Sequence, residues 1–460
     1  MSLSEVEPNG GAMRDESAGA GRIPLSVNQE FMCMFDKGDD EGPFGPRYHI
    51  VYGWRVRGAV DLGLLQGALD DVVARNEVLR TEVVRDTEPK HQRIHEPSSP
   101  QLVVRDLTGA APGDRDRAAE ELLIEVEADE YSIRELPLLR AVLGRFDDHD
   151  SVLALIAHHT VADGWSMQLI IRELAECYAA RKENRAPELP EVRQYQEYTR
   201  WEATTTTDEA LAKPSEFWLD KLAGAQITAV PTDFRRSEDL PKNTSVERYL
   251  VDPDVTAATL ELARSMRSSP FMVLLAAYQV LLQEITGNDD ITVTTIMSGR
   301  GQARFEETIG SFFNLVPLRT DLTGCGSFRE VVERTRKTCI SALTRQIPFL
   351  RLLSDAPELG APYAADDAAV VAFQVFQFPF VMTAQRVGDL EYSEIRKRLL
   401  PAEVSTDIPD GALWTLDIDP AGNEMIGQMQ FNSNLFEAST VRDMVARFQQ
   451  VLKKSVFSPE

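Results

Sequence analysis

The sequence predicts an α+β protein built as two lobes, each a mixture of helices and strands. Three observations carry that expectation. The chain has 460 residues, 43% of them hydrophobic and 26% charged, enough for two or three cores at roughly 100–200 residues per domain. Strand-like and helix-like patterns follow one another along both halves. Between the halves lies RKENRAPELPEV, polar and twice broken by proline, which reads as a linker. The expected organisation is a disordered tail over 1–22, a first lobe over 23–180, a linker over 181–192 and a second lobe over 193–460.

The opening residues are rich in Gly, Ala, Ser and Glu and have too little apolar surface to pack. Order begins near Ile23. Residues 48–56 (YHIVYGWRV) are β-branched and aromatic, a strand signature. Asp61 then suits the N-cap of a helix carrying Leu62, Leu65, Leu69, Val72 and Val73 on one face. Residues 80–84 read as another strand. The runs 138–145 and 151–157 flank an acidic turn, and the unbroken apolar character of SVLALIA predicts a strand buried on both faces. A helix follows from about Ser166, with Met167, Ile170, Ile171, Leu174 and Tyr178 as its apolar stripe.

The second half repeats the style. Residues 254–266 read as a helix, and Ser269 with Pro270 suits the start of another through 285. Strands are expected at 291–296, 370–378, 413–419 and 427–431, with helices at 328–346 and 438–452. No short tandem repeat is present.

Composition excludes several classes. Lys and Arg total 48 against 73 Asp and Glu, a net charge of −25, which repels nucleic acid and anionic membranes. An acidic partner would need a locally apolar or basic dock. Cys33, Cys177, Cys325 and Cys339 are scattered, as in a protein of a reduced cytoplasm. The N-terminus lacks a basic start and apolar core, so it is no signal peptide. The apolar run 271–282 is interrupted by Gln279 and too short to span a bilayer.

Chemistry concentrates in AHHTVADGWS, residues 157–166. Adjacent strand residues point to opposite faces, so one imidazole can face a cavity while the other supports the turn. A neutral imidazole at a strand end can accept a proton near pH 7. Asp163 lies four residues past His159, across a turn that Gly164 allows to be tight. If buried, its carboxylate needs a cation or backbone donors. Read from the residues alone, Asp163 could instead be only a helix cap, and His158 a core residue. The spacing is not that of a helical zinc site, and no Cys/His cluster completes one. No G-x-S-x-G elbow, phosphate-binding G-x-x-x-x-G-K-[ST] loop or G-x-G-x-x-G fingerprint is present. A base without its own nucleophile suits transfer between two bound substrates, one already activated. His49, His91, His95 and His149 read as surface or loop residues, and Trp165 as core packing.

The segment from His158 to Ser166 resembles the H-H-x-x-x-D-G core of nonribosomal peptide synthetase condensation domains, members of the chloramphenicol-acetyltransferase-like superfamily. The resemblance runs in order from residue 22 onward. Residues 24–29 (PLSVNQ) resemble the S-x-x-Q opening, 75–81 (RNEVLRT) the R-H-x-x-L-R-T block and 195–201 (YQEYTRW) the Y-x-D-Y-x-x-W block. Residues 298–300 (SGR) and 309–319 (IGSFFNLVPLR) are similar to S-G-R and I-G-x-F-x-N-x-x-P-L-R. It implies two chloramphenicol-acetyltransferase-like lobes in a V-shaped pseudo-dimer with a central channel. The donor would be an acyl or aminoacyl thioester on the phosphopantetheine arm of a peptidyl or aminoacyl carrier protein, with no bound cofactor. The acceptor would be a small-molecule amine or alcohol. By the same resemblance His159 faces the channel as base or positioning group, and His158 supports it. Asp163 pairs with Arg300, and Gly164 lets the backbone approach the reacting centre.

Three departures bear on the acceptor. The H-Q-D-x-P-F-E block stands here as TRQIPFL (344–350), Asn76 occupies a usual histidine position, and the chain ends near Glu460 without adenylation or carrier domains. The altered blocks argue against an ordinary peptide acceptor, and the chain's end implies a free-standing condensation enzyme, of the kind found in enediyne antibiotic pathways. Rivals are an acyl-CoA-dependent acyltransferase, which lacks the S-G-R and N-x-x-P-L-R set, and a non-catalytic recruiting module. An epimerisation domain would carry E-G-H-G-R-E, where this chain has SGRGQARFEE.

Overall fold

The computed structural model describes residues 22–378, 380–395, 398–419 and 422–460. The tail expected over 1–22 thus falls, except for Arg22, outside the described residues.

The first sheet has six strands in the order Gln385–Val387, Leu390–Glu394, His49–Arg57, Asp150–His158, Leu139–Asp147 and Leu102–Asp106. Strand Asp150–His158 is buried along its whole length, as its continuous apolar run predicts. Helices Leu62–Arg75 and Gly164–Lys182 cover one face, around Trp54, Leu69, Val72, Leu155, Ile170 and Leu174. Helix Arg115–Ala128 covers the other with Leu122, Leu123 and Val126. Asp61 caps its helix as expected, accepting from the Leu64 amide at 2.9 Å. Leu62, however, is exposed at the helix start.

The second sheet orders Ala229–Pro231, Ala368–Phe376, Ala412–Asp419, Glu424–Asn432 and Thr244–Leu250. The hairpin Asp290–Met297 with Asn314–Asp321 lies beside it, joined by a 2.8 Å bond from the Thr295 hydroxyl to the Phe373 carbonyl. Helices Pro253–Ser265, Pro270–Thr286, Phe328–Leu343 and Ala438–Phe457 pack a large core against these strands. Ser269 caps the Pro270 helix, and Gly287, at φ +72°, ends it in the left-handed conformation a C-terminal glycine favours.

Several boundaries differ from those expected. The Gly164 helix runs through Lys182 into the predicted linker. Arg181 and Lys182 in its last turn complement the helix dipole, and Arg181 also pairs with Asp71 at 2.6 Å. The first lobe is not confined to 23–180. Strand Leu390–Glu394 pairs antiparallel with His49–Arg57, closing an edge that would otherwise expose unpaired backbone groups. Tyr195, Tyr198, Phe305, Ile309 and Phe312 also belong to the first core. His49 is not a surface residue. It is buried on its strand, its ring edge-on to Tyr131 at 5.0 Å, and burial pushes its pKa down to about 4.

No helix among the described residues is long and apolar enough to cross a membrane, and none of their His, Cys, Asp and Glu side chains cluster as a metal site. The four cysteines are free thiols.

Candidate active site

Strand Asp150–His158 ends at the first of the paired histidines. The ladder continues one residue further, the His159 amide donating to the Tyr48 carbonyl at 2.9 Å. The Val161 amide then turns back to the His158 carbonyl at 3.0 Å, and the chain enters the Gly164 helix. Opposite projection of the two imidazoles follows from the strand pleat.

His158 is buried, and its Nε2 lies 3.2 Å from the Gly45 carbonyl. A carbonyl only accepts, so Nε2 carries the proton. Nδ1 therefore accepts from Thr160, whose hydroxyl is 2.9 Å away. Burial drives its pKa to about 3, so the ring is neutral at pH 7 and supports the turn.

His159 is half-buried. Its Nδ1 is 2.9 Å from the Ala162 carbonyl, which places the proton on Nδ1 and the free lone pair on Nε2. Tyr48 stacks on the ring at 5.2 Å and 24°, and Phe313 presents an edge at 5.8 Å. Burial lowers the His159 pKa below its ordinary value, opposed by backbone hydrogen bonding and by the Asp163 charge. The geometry is that of a neutral, oriented proton acceptor.

Asp163 resolves the two readings left open by its sequence position, because it is both a cap and half of an ion pair. Its Oδ1 accepts from the Ser166 amide at 2.7 Å and Arg300 Nη2 at 3.2 Å. Its Oδ2 accepts from Arg300 Nη1 at 2.5 Å and the Phe312 amide at 3.2 Å. These bonds all lead away from His159, whose tautomer is set by the Ala162 carbonyl and not by this carboxylate. Arg300 also donates through Nη2 to the Ser166 hydroxyl at 2.9 Å and the Thr308 carbonyl at 3.1 Å. Its guanidinium lies 4.1 Å from the Phe312 ring centroid. The sequence reading missed Ser166. Its hydroxyl donates to the Gly310 carbonyl at 2.8 Å and accepts from the Gly310 amide at 3.0 Å. Its place three residues after an Asp cap was the available signal. Asp163, Ser166 and Arg300 together bind the start of the Gly164 helix to loop 298–313 of the second half.

Gly164 is required by close approach and not by its backbone angle, which lies outside the left-handed region. A Cβ there would sit 2.8 Å from the Tyr52 hydroxyl and 2.9 Å from Phe378 Cζ. Trp165 is half-buried and packs against the first core, and its indole donates to the Glu306 carbonyl at 3.0 Å.

Other segments singled out in the sequence converge here. Ser26 and Gln29 form a capping box, and Asn28 donates to the Ser311 carbonyl at 3.1 Å. The Tyr195 hydroxyl bridges Ser26 Oγ and the Ser311 carbonyl at 2.9 and 2.8 Å. Asn314, next to Phe313, clamps the altered 344–350 block, donating to the Ile347 carbonyl at 2.8 Å and accepting from the Phe349 amide at 3.1 Å. Asn76 is elsewhere. It is buried and donates to Glu173 at 2.7 Å, so this departure supports the first core and not the histidine. Cavities of about 530 Å³, lined by Gln226, Asn288 and Glu358, and about 240 Å³, lined by Asp129 and Arg140, lie away from the histidine pair.

A family model described as Condensation domain matches residues 20–460. A linear gramicidin synthase polypeptide of Brevibacillus parabrevis is 33% identical over 94% of this chain and 8% of its own length. Phosphinothricin tripeptide synthetase PhsC of Streptomyces viridochromogenes is 28% identical over 95% of this chain and 39% of its own. The chain thus spans a minor part of these curated relatives. Among solved structures, the SgcC5 protein of Streptomyces globisporus, in complex with (R)-(-)-1-(2-naphthyl)-1,2-ethanediol and sucrose, is 48% identical. It covers 95% of this chain and 99% of its own, with a TM-score of 0.91. The X-domain from teicoplanin biosynthesis shares the fold at a TM-score of 0.75 and 24% identity, over 98% of this chain and 97% of its own.

Proposed function

Because the chain belongs to the condensation-domain family, we propose that it transfers an acyl or aminoacyl group from a carrier-protein phosphopantetheine thioester to an amine or hydroxyl acceptor in natural-product biosynthesis. The observation that carries this reading is the neutral His159, with Nδ1–H held by the Ala162 carbonyl and the Nε2 lone pair left for an acceptor proton. The acceptor O–H or N–H hydrogen-bonds to Nε2. Its heteroatom attacks the thioester carbonyl, the new C–O or C–N bond forms and the C–S bond breaks. The proton taken by His159 passes to the departing pantetheine sulfur. A thioester is already activated, so holding the two reactants together supplies much of the rate. The protein itself needs no resident cofactor for these steps. Its free thiols suit a reduced cytoplasm.

A hydroxyl acceptor, and so an ester product, is favoured by the aryl diol bound to SgcC5. A role in an enediyne-type pathway fits the same reading. The test is a mass-spectrometric transfer assay with aminoacyl thioesters on a carrier protein or on CoA. Acceptors would include a 1-aryl-1,2-ethanediol and the matching amino alcohol, with His159→Ala alongside. Carrier-dependent ester lost in the variant is expected. Equal use of CoA would make it an acyl-CoA acyltransferase. Full turnover by His159→Ala would remove that residue from the mechanism, and silence across a broad acceptor panel would favour a recruiting module.

A further inference from the structure

We propose that Tyr48 is a positioning residue, which together with Phe313 clamps the His159 ring so that Nε2 points to the acceptor. The inference rests on the role proposed for His159. One hydrogen bond from Nδ1 to the Ala162 carbonyl holds a single edge of the imidazole and leaves its plane free to tilt. Tyr48 supplies the face, stacked at 5.2 Å and 24°, and Phe313 the second contact, at 5.8 Å and 64°. The stack follows from the sheet. Pairing of His49 with His158 continues outward, so that Tyr48 lies across from His159 on the same face.

Tyr48 is itself fixed. It is 6% exposed and packs with Leu25, Met32, Phe44 and Val83 in a small core separate from those of the two lobes. The Arg85 guanidinium lies 4.0 Å from the Phe44 ring centroid on which that core is built. Among the described residues, the titratable or charged groups set against His159 or its immediate partners are Tyr48, His158, Asp163 and Arg300. Tyr48 and His158 are neutral, burial raising the phenol's pKa and lowering the imidazole's. Asp163 is paired with Arg300. The clamp therefore fixes the plane of the ring while the Ala162 carbonyl fixes its tautomer, and burial keeps the acceptor form populated.

The test combines steady-state transfer with a proton-carbon NMR titration of histidine-labelled protein, the His159 signal being assigned with His159→Gln. Tyr48→Leu should lower kcat about 10- to 100-fold with the KM for the carrier thioester within about twofold. Its His159 titration and the acid limb of kcat/KM should both move down, by up to about one pH unit, as the imidazolium loses its aromatic face. Tyr48→Phe should match wild type in both readouts, because the ring and not the hydroxyl acts. Phe313→Leu, outside the small core, should shift the titration in the same direction. An unmoved titration in Tyr48→Leu and Phe313→Leu would overturn the clamp, as would equal damage from Tyr48→Phe. The titration reads the clamp without turnover, so an enzyme silent with every acceptor would count against the proposed function and leave this result standing.

Discussion

Replacing Asp163 by alanine removes the cap on the Ser166 amide and the three hydrogen bonds the carboxylate accepts from Arg300 and the Phe312 amide in loop 298–313. The Arg300 side chain is 2% exposed and its partner 12%, so the guanidinium left behind cannot reach water. Breaking a buried pair on one side costs about 3–5 kcal/mol. Arg300 keeps the Ser166 hydroxyl and the Thr308 carbonyl, which argues for the lower end, about 3 kcal/mol. Loss of the cap adds about 1 kcal/mol. The expected total is about 4 kcal/mol. Asp163→Asn keeps an oxygen for the cap and should lose about 3 kcal/mol. Asp163→Asn with Arg300→Met removes both charges and should fall within about 1–2 kcal/mol of wild type. Urea unfolding followed by tryptophan fluorescence gives the differences from the midpoints, provided the slopes agree. Hydrogen exchange should rise across residues 298–313 in the single variants. An Asp163→Ala protein within about 1 kcal/mol of wild type, or a double variant no better than Asp163→Asn, would refute the buried latch.

Gly164→Ala gains helix propensity but drives a Cβ to 2.8 Å from the Tyr52 hydroxyl; overpacking of about 1–3 kcal/mol should win, and a variant of unchanged urea midpoint would show that Tyr52 yields freely. His49 and His158 have folded pKa values of about 4 and about 3, below the ordinary 6.5. The unfolded chain therefore binds more protons in acid, and the stability these rings contribute is whole above pH 6.5 and lost as pH falls toward 4 and 3. The unfolding free energy from urea titrations should drop below pH 6.5, by up to about 1.4 kcal/mol per pH unit for each ring, with a shallower drop in His49→Phe; identical profiles would contradict the assignment. Asn76→Ala strips Glu173 of its 2.7 Å donor and should cost about 1–3 kcal/mol, whereas Asn76→His, which keeps a donor, should cost less in the same unfolding assay.

Local signals made much of this architecture readable. The unbroken run before His158 marked a buried strand, and Ser269 with Pro270 marked a helix start, because each is decided by neighbours in the chain. Helices Arg115–Ala128 and Tyr195–Thr205 escaped notice because charged residues dilute their apolar stripes. The pairing of Leu390–Glu394 with His49–Arg57 joins segments whose own sequences carry no mark of each other. Within the site, the spacing from His158 to Gly164 was legible. The pairing of Asp163 with Arg300, 137 residues away, entered only through family resemblance. Ser166 and Tyr48 stayed hidden because their parts depend on what the fold brings beside them.

The strand Leu390–Glu394 also sets an order of events on the ribosome. Residues 49–57 and 150–158 emerge early and can pair at once. The opposite edge of His49–Arg57, however, waits for a partner ending 337 positions after Arg57, at Glu394. At about 5–20 residues per second, that interval is roughly 17–67 s. During it the nascent first lobe carries an uncovered strand edge, a template for association with other chains. Slow passage through the intervening codons should therefore lower soluble yield more than the same pause after residue 394.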